Sequence, residues 1–354
     1  MFLLRSLTCT LLALANPLHA SPQVVAGQQG NRISIPANSP CVLSGANHPM
    51  TFVIGAHQNN TLVTTGDPDT RRFLIFVPSS YQVQNGPYPA VYMLHGSGQT
   101  ANNIQNNTSW SQAAEALGFI LVYPEALPYL LQDGTTKTKW ETAGTALAVD
   151  TSELPLADDE LFLRELHNSV ASHLSIDCDR VYASGFSNGG AFVKTRIRVD
   201  MPDLFAATTS GGGMGVHAAS PSDQFPADGA TFRPHFEVVG NQDANKLANC
   251  IDQGDLNPGD SLPRLVADIM ATPCMWVPLT TMAAAIGMDP GSFVAVEQQN
   301  FTQLLWNNAL LPGPGPTEYR FRVLPGLDHA YPSGNNHPID YVPIFYMWMS
   351  QFAK

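Results

Sequence analysis

The chain has 354 residues, 44% of them hydrophobic and 13% charged, with 28 Gly and 28 Pro. That is the make-up of a loop-rich globular protein with one large domain or two small ones, and it excludes a disordered chain. A formal net charge of −12 argues against nucleic acid or an anionic membrane surface as the main partner, because both reward basic patches.

Residues 1–20 read as a signal peptide, with Arg5 in the positive n-region, an apolar stretch over 7–14 and the ending Leu18-His19-Ala20. Cleavage after Ala26 is the alternative. No later stretch is apolar for long enough to span a bilayer, so the mature protein is expected to be secreted (extracellular or periplasmic) without a membrane span. Cys41, Cys178, Cys250 and Cys274 then remain, and an even number in a secreted chain predicts two disulfides. Of the three connectivities, Cys250–Cys274 with Cys41–Cys178 is preferred, because Cys250 and Cys274 share one insertion. The chain has no C-x-x-C or H-E-x-x-H, so no metal or other cofactor is expected.

Residues 21–70 are polar, with a short strand candidate at 51–54, and are expected to form an N-terminal extension on a domain spanning 71–354. Strands are predicted at 72–78 and 90–94, the second a nearly continuous apolar run of the kind buried on both faces of a parallel sheet. It ends in His95-Gly96-Ser97-Gly98-Gln99-Thr100. A helix over 109–117, a strand over 119–124 and a loop over 132–151 holding Trp140 follow. Asp158-Asp159-Glu160 opens a helix in which acidic residues complement the dipole and Leu163, Leu166, Val170 and Leu174 recur at helical spacing. His167 and His173 on that helix read as surface or core residues, not ligands.

After a turn at 176–179, a strand at 180–184 runs into Gly185-Phe186-Ser187-Asn188-Gly189-Gly190. This is the G-x-S-x-G form of a nucleophile elbow, in which a strand turns sharply into a helix and small residues flank the serine. The helix is predicted from 188 towards 199, before Pro202. A short strand at 205–209 ends in the flexible Gly211-Gly212-Gly213. The next strand, 235–240, delivers Asn241-Gln242-Asp243 to the carboxyl edge of the sheet, where ligands bind in open α/β folds. A strand at 319–324 delivers Asp328-His329 to the same edge, and a final helix from about 340 carries Tyr341, Phe345, Trp348 and Phe352 on one face. Residues 244–318 form an insertion whose apolar part, 269–288, reads equally as a cap over the site or as core.

Strands alternating with helices predict a mostly parallel central sheet with helices on both faces. Ser187, Asp243 and His329 occur in the order nucleophile, acid, base, which is that of the α/β-hydrolase fold. Each has a role in acyl transfer. Imidazole takes the proton of a weakly nucleophilic serine, the carboxylate fixes the imidazole tautomer, and two backbone N–H groups, those of Ser97 and Asn188, meet the oxyanion. Asp252, Asp255 and Asp328 are rival acids, though none directly follows a predicted strand.

The elbow 180–190 resembles that of secreted polyhydroxybutyrate depolymerases and feruloyl or acetyl-xylan esterases. Leu94-His95-Gly96-Ser97-Gly98-Gln99-Thr100 resembles their oxyanion loop, Gly326-Leu327-Asp328-His329-Ala330-Tyr331-Pro332 their histidine motif, and Asp158-Asp159 their paired acids. The chain departs from them in Gly240-Asn241-Gln242-Asp243, where H-G-x-x-D is expected, and in Lys139-Trp140-Glu141, where many members have W-N. The resemblance implies a secreted serine carboxylesterase without cofactor. Its substrate would be a polyhydroxyalkanoate polyester or oligomer, or alternatively a feruloyl or acetyl ester of plant polysaccharide. A serine peptidase and a non-catalytic binding protein on the same fold are the rival readings.

Overall fold

A computed structural model describes residues 24–25, 50, 52–65, 67, 69–213, 233–245, 262–307 and 317–354. The predicted signal peptide and its cleavage sites lie outside the described residues, apart from Val24–Val25, which pairs antiparallel with Phe52–Val53. Cys178 is disulfide-bonded; Cys41, Cys250 and the side chain of Cys274 lie outside the described residues.

The strands of the central sheet are β1 (His57–Val63), β2 (Thr70–Phe76), β3 (Tyr88–Leu94), β4 (Ile120–Pro124), β5 (Ile176–Phe186), β6 (Ala207–Gly211), β7 (His235–Gly240), β8 (Val294–Gln298), β9 (Phe301–Trp306) and β10 (Tyr319–Leu324). Their spatial order is β8-β9-β10-β7-β6-β5-β3-β4-β2-β1. From β4 to β10 each neighbouring pair is parallel, while β1, β2, β8 and β9 pair antiparallel at the two ends. This is an α/β-hydrolase fold.

Alternation along β3, β4 and β5 builds a core on each face. Ala90, Tyr92, Leu94, Ile120, Val122, Val181 and Ala183 share one cluster with Phe162, Leu163, Leu166 and Val170 of the helix Asp159–His173. Val91, Met93, Leu121, Tyr123 and Tyr182 share the other with Trp110 of the helix Trp110–Leu117 and with Tyr341, Phe345 and Trp348 of the C-terminal helix Tyr341–Met349. Each fully buried large apolar side chain contributes roughly 1.5–3 kcal/mol, so both helix layers are held by burial.

The structure corrects several sequence-based boundaries. β1 belongs to the sheet although it lies within the predicted extension; as an edge strand it buries Leu62 alone and leaves polar positions to solvent. β5 begins at Ile176, so the predicted turn at 176–179 is strand, with the Asp177 carboxylate accepting from the Asp179 N–H at 3.1 Å. A helix at Ala101–Asn107, closed by a reciprocal Thr100–Asn103 capping box, was not anticipated. Nor were the structured parts of 132–151, a strand at Thr136–Thr138 paired with Pro128–Leu130 and a helix at Ala143–Ala148. The helix after the elbow widens into a π-turn at Val193–Ile197, and the wide turn carries the buried Lys194.

The apolar part of the insertion is core, while its strand β8 is an exposed edge. Met275, Leu279, Met282 and Ile286 of the segment around helix Pro273–Ala285 bury against Leu304 and Trp306 of β9 and Tyr319, Phe321 and Val323 of β10. They cover the far end of the sheet instead of capping the site.

Candidate active site

The elbow takes the shape its glycines permit. Ser187 has φ 52° and ψ −114°, and it is the one non-glycine residue at positive φ among the described residues. Such a conformation costs of order 1–3 kcal/mol and persists only where the surroundings impose it. A Cβ on Gly185 would lie 2.4 Å from the Gly189 carbonyl oxygen, and one on Gly189 2.4 Å from the His95 carbonyl oxygen. Glycine at both positions therefore lets β5, the following helix and the end of β3 close on one another. The Ser187 N–H donates to Gly211 O at 2.9 Å, and Ser187 O receives Ala191 N–H at 2.8 Å as the helix starts.

Ser187, Asp243 and His329 converge. Ser187 Oγ lies 2.8 Å from His329 Nε2, and His329 Nδ1 lies 2.9 Å from each Asp243 carboxylate oxygen. The carboxylate is 1% exposed and the imidazole 21%, so the imidazole faces the solvent side and the carboxylate does not. The two loops that deliver them are sewn together: Asn241 N–H donates to Leu324 O, Gln242 N–H to Leu327 O, and Gly326 N–H to the Asn241 side chain at 2.8 Å. A Cβ on Gly240 would lie 1.9 Å from Leu327 O, which makes that glycine the condition for the close approach. The motif without a histidine therefore holds its aspartate through Asn241 and Gln242. The glycines after β6 are not loose: Gly211 ends the strand, and Gly212, at φ 57°, donates to Val238 O, where a Cβ would stand 3.3 Å from the His329 ring.

The loop after β3 is fixed by His95, whose sequence reading as part of an oxyanion motif did not reveal how it acts. His95 is fully buried; Nε2 accepts the Ala126 N–H at 3.1 Å, so Nδ1 carries the proton and donates to Gly96 O at 2.8 Å. Burial pushes its pKa down to about 4, and the ring is neutral. The Gly96 N–H is taken by the Gln99 side chain at 2.9 Å. The N–H groups of Ser97 and Asn188 donate to no described residue. Gly96 brings this loop against the serine, since a Cβ there would lie 3.2 Å from Ser187 Cβ.

Trp140 and Thr145 are the residues that sequence reasoning left in a loop. Trp140 is fully buried; its indole N–H donates to His95 O at 2.9 Å and its backbone N–H to Asn188 Oδ1 at 2.8 Å. Asn188 Nδ2 donates to Thr145 Oγ1 at 3.2 Å. The Asn188 side chain thus ties the elbow to the 140–145 segment through a backbone N–H and a threonine hydroxyl, while the tryptophan retained in the departure from W-N fixes the end of β3 through its indole. The only advance signal was a lone tryptophan in a polar stretch. Asp158 caps its helix through Leu161 N–H, while Asp159 is buried on Arg71 at 2.5 Å and accepts the Glu141 N–H at 2.6 Å; this pair is structural. Behind the elbow, the Tyr331 hydroxyl is bonded to the Trp110 indole and to Ser184 Oγ. His167 lies buried against the Tyr92 hydroxyl at 3.0 Å. Among the described residues no group of three or more His, Cys, Asp or Glu is placed to hold a metal ion, and no helix is long and apolar enough to cross a membrane.

A family model described as "Putative esterase" matches residues 68–276, more than half of the chain, and the chain belongs to that esterase family. It is similar to a bifunctional acetylxylan esterase/xylanase of Neocallimastix patriciarum, 29% identical over 169 residues that make up 48% of this chain and 21% of that protein. It is also similar to feruloyl esterase B of Thermothelomyces thermophilus, 29% identical over 158 residues, 44% of this chain and 49% of that one. The chain therefore spans half or less of the length of these relatives. Among solved structures, an acetyl xylan esterase from Aspergillus awamori superposes with a TM-score of 0.51 at 15% identity, over 83% of this chain and 99% of that chain; at that identity the likeness is one of fold.

Proposed function

From membership of the esterase family, we propose that this chain hydrolyses carboxylic esters through a serine acyl-enzyme. Ser187 Oγ attacks the ester carbonyl while His329 Nε2 takes its proton. Asp243 holds Nδ1–H and stabilises the imidazolium that forms. The backbone N–H groups of Ser97 and Asn188 receive the tetrahedral oxyanion, each donor stabilising it by about 3–4 kcal/mol. His329 then protonates the leaving alcohol, and water activated by the same nitrogen releases the acid. No step calls for a cofactor.

The observation that carries this reading is the unbroken chain from Ser187 Oγ to His329 at 2.8 Å and on to a buried Asp243 at 2.9 Å. For the substrate, the named relatives favour an acetyl or feruloyl ester on plant polysaccharide. The polyhydroxyalkanoate reading rests on the resemblance of the elbow, oxyanion and histidine motifs. Secretion rests on the signal-like residues 1–20 and is in keeping with a disulfide at Cys178.

The test is hydrolysis of p-nitrophenyl acetate by wild type and Ser187→Ala. The variant should lose roughly four to six orders of magnitude in kcat; equal rates would reduce Ser187 to a turn residue. Acetylated xylan, feruloylated arabinoxylan and polyhydroxybutyrate then rank the substrate classes.

A further inference from the structure

Positive charge is scarce in this chain, whose 17 Lys and Arg face 29 Asp and Glu. Its lysines stand at 137, 139, 194, 246 and 354, so Lys137 and Lys139 form a local concentration, and the fold sets it beside the candidate active site. The strand Thr136–Thr138 is clamped onto the loop after β3: Gly98 N–H donates to Thr138 O at 2.9 Å and Thr138 Oγ1 donates to Gln99 O at 2.5 Å. The aliphatic stem of Lys137 passes over Gly98, where a Cβ would lie 3.8 Å from both its Cγ and its Cδ. Gly98 adjoins Ser97. Lys139, half-buried, immediately precedes Trp140, whose backbone N–H holds the Asn188 side chain. The two lysines therefore sit one residue removed from the groups that position both oxyanion donors.

Neither lysine makes an ion pair among the described residues, whereas Arg71, Arg164, Arg180, Lys194, Arg196 and Arg320 all do. The nearby carboxylate, Asp133, turns Oδ1 to Thr135, accepting its N–H at 2.9 Å and its hydroxyl at 2.6 Å. Burial, and to a lesser degree the neighbouring Lys137, lower the pKa of Lys139, and the Asp133 carboxylate opposes them without reversing the shift.

We propose that Lys137 and Lys139 form an anion subsite that receives a carboxylate carried by the ester substrate. The inference rests on the acyl-transfer reading and deepens it. In a protein of net charge −12 an anionic substrate is repelled at long range, and two lysines outside any ion pair, facing one exposed carboxylate, Asp133, supply local positive charge beside the loop that carries Ser97. Two sources supply this chemistry: the free acid end of a hydroxy-acid oligomer, and a uronic acid on a polysaccharide.

The experiment measures kcat/KM for two matched pairs: the linear dimer of 3-hydroxybutyrate against its methyl ester, and an acetylated xylo-oligosaccharide with against without a uronic acid branch. Wild type should favour the charged member of one pair by about three- to tenfold, and that pair names the source. The preference should shrink in 0.5 M NaCl. In Lys137→Met/Lys139→Met the charged-to-neutral ratio should fall to about one, while Lys137→Arg/Lys139→Arg should retain it. Lys137→Glu, at an exposed position, serves if the double variant fails to fold, and should invert the ratio. No preference in either pair, or a preference that survives loss of both lysines, overturns the subsite. If neutral esters are still cleaved in a Ser187-dependent way, the acyl-transfer reading stands without it; absence of Ser187-dependent cleavage ends both.

Discussion

Asp243→Asn isolates the part assigned to the acid. The amide has the volume of the carboxylate, so a buried position keeps its packing. Both carboxylate oxygens lie 2.9 Å from His329 Nδ1, so one of the two amide atoms must take the imidazole contact. If the NH2 faces Nδ1, two donors would meet unless the ring moves its proton to Nε2. That nitrogen then donates towards Ser187 and can no longer accept its proton. If the amide oxygen faces Nδ1, the tautomer survives but the charge that stabilises the imidazolium is gone. In either arrangement the loss falls on the chemical step, and the known cost of this substitution in serine triads is about 10⁴ in kcat, or about 5.4 kcal/mol of barrier. KM should change little, because a carboxylate that is 1% exposed does not reach the substrate. Steady-state kinetics on p-nitrophenyl acetate, with a thermal melt to show that the variant folds, make the measurement. A kcat within tenfold of wild type, or a loss confined to KM, would refute the assignment and return the role to Asp252, Asp255 or Asp328.

Other outcomes follow from the packing. Gly189→Ala places a Cβ 2.4 Å from His95 O and 2.8 Å from Leu94 O; both are backbone, so the elbow must part from β3, with about 1–3 kcal/mol of stability lost and turnover lost with it. Wild-type behaviour in melt and assay would mean that the approach is not needed. Lys194→Met strands the buried Glu237, which Lys194 holds at 2.9 Å and the Tyr319 hydroxyl at 2.8 Å; urea titration should show about 3–5 kcal/mol of destabilisation, partly recovered by adding Glu237→Gln. Stability should also fall on acidification. Burial depresses the folded-state pKa of His95 to about 4 and of His167 to about 3, so below the unfolded value near 6.5 the unfolded chain takes up protons that the folded one refuses. Each ring should cost about 1.4 kcal/mol per pH unit as pH falls from 6.5 towards its folded value, and His167→Gln should flatten the urea-midpoint profile in that window.

Much of the site was legible because its determinants are local. A strand rich in β-formers, two glycines and a serine between them specify an elbow with little help from the rest of the chain, and the order Ser187, Asp243, His329 follows from reading which loops leave the carboxyl ends of strands. The apolar run of β3 announces burial on both faces for the same reason: every position needs an apolar side chain. What escaped notice was set by contacts distant in sequence. β1 is polar because it is an edge, and nothing in His57-Gln58-Asn59-Asn60-Thr61 says so until Phe73 and Leu74 lie beside it. The segment around 269–288 is equally apolar as cap or core, and the bare end of β9 and β10 decided for core.

By itself, then, the sequence determined the alternation of strands and helices, the elbow and the three side chains arrayed at one edge of the sheet, because period and turn chemistry act between near neighbours. Tertiary structure alone decided that the Trp140 backbone N–H holds Asn188, that His95 is a neutral clamp on the loop after β3, and that Asn241 and Gln242 bring Asp243 to His329 without the expected motif. Those are hydrogen bonds between residues 31–86 positions apart, and a linear pattern carries no record of which distant carbonyl or amide will be waiting.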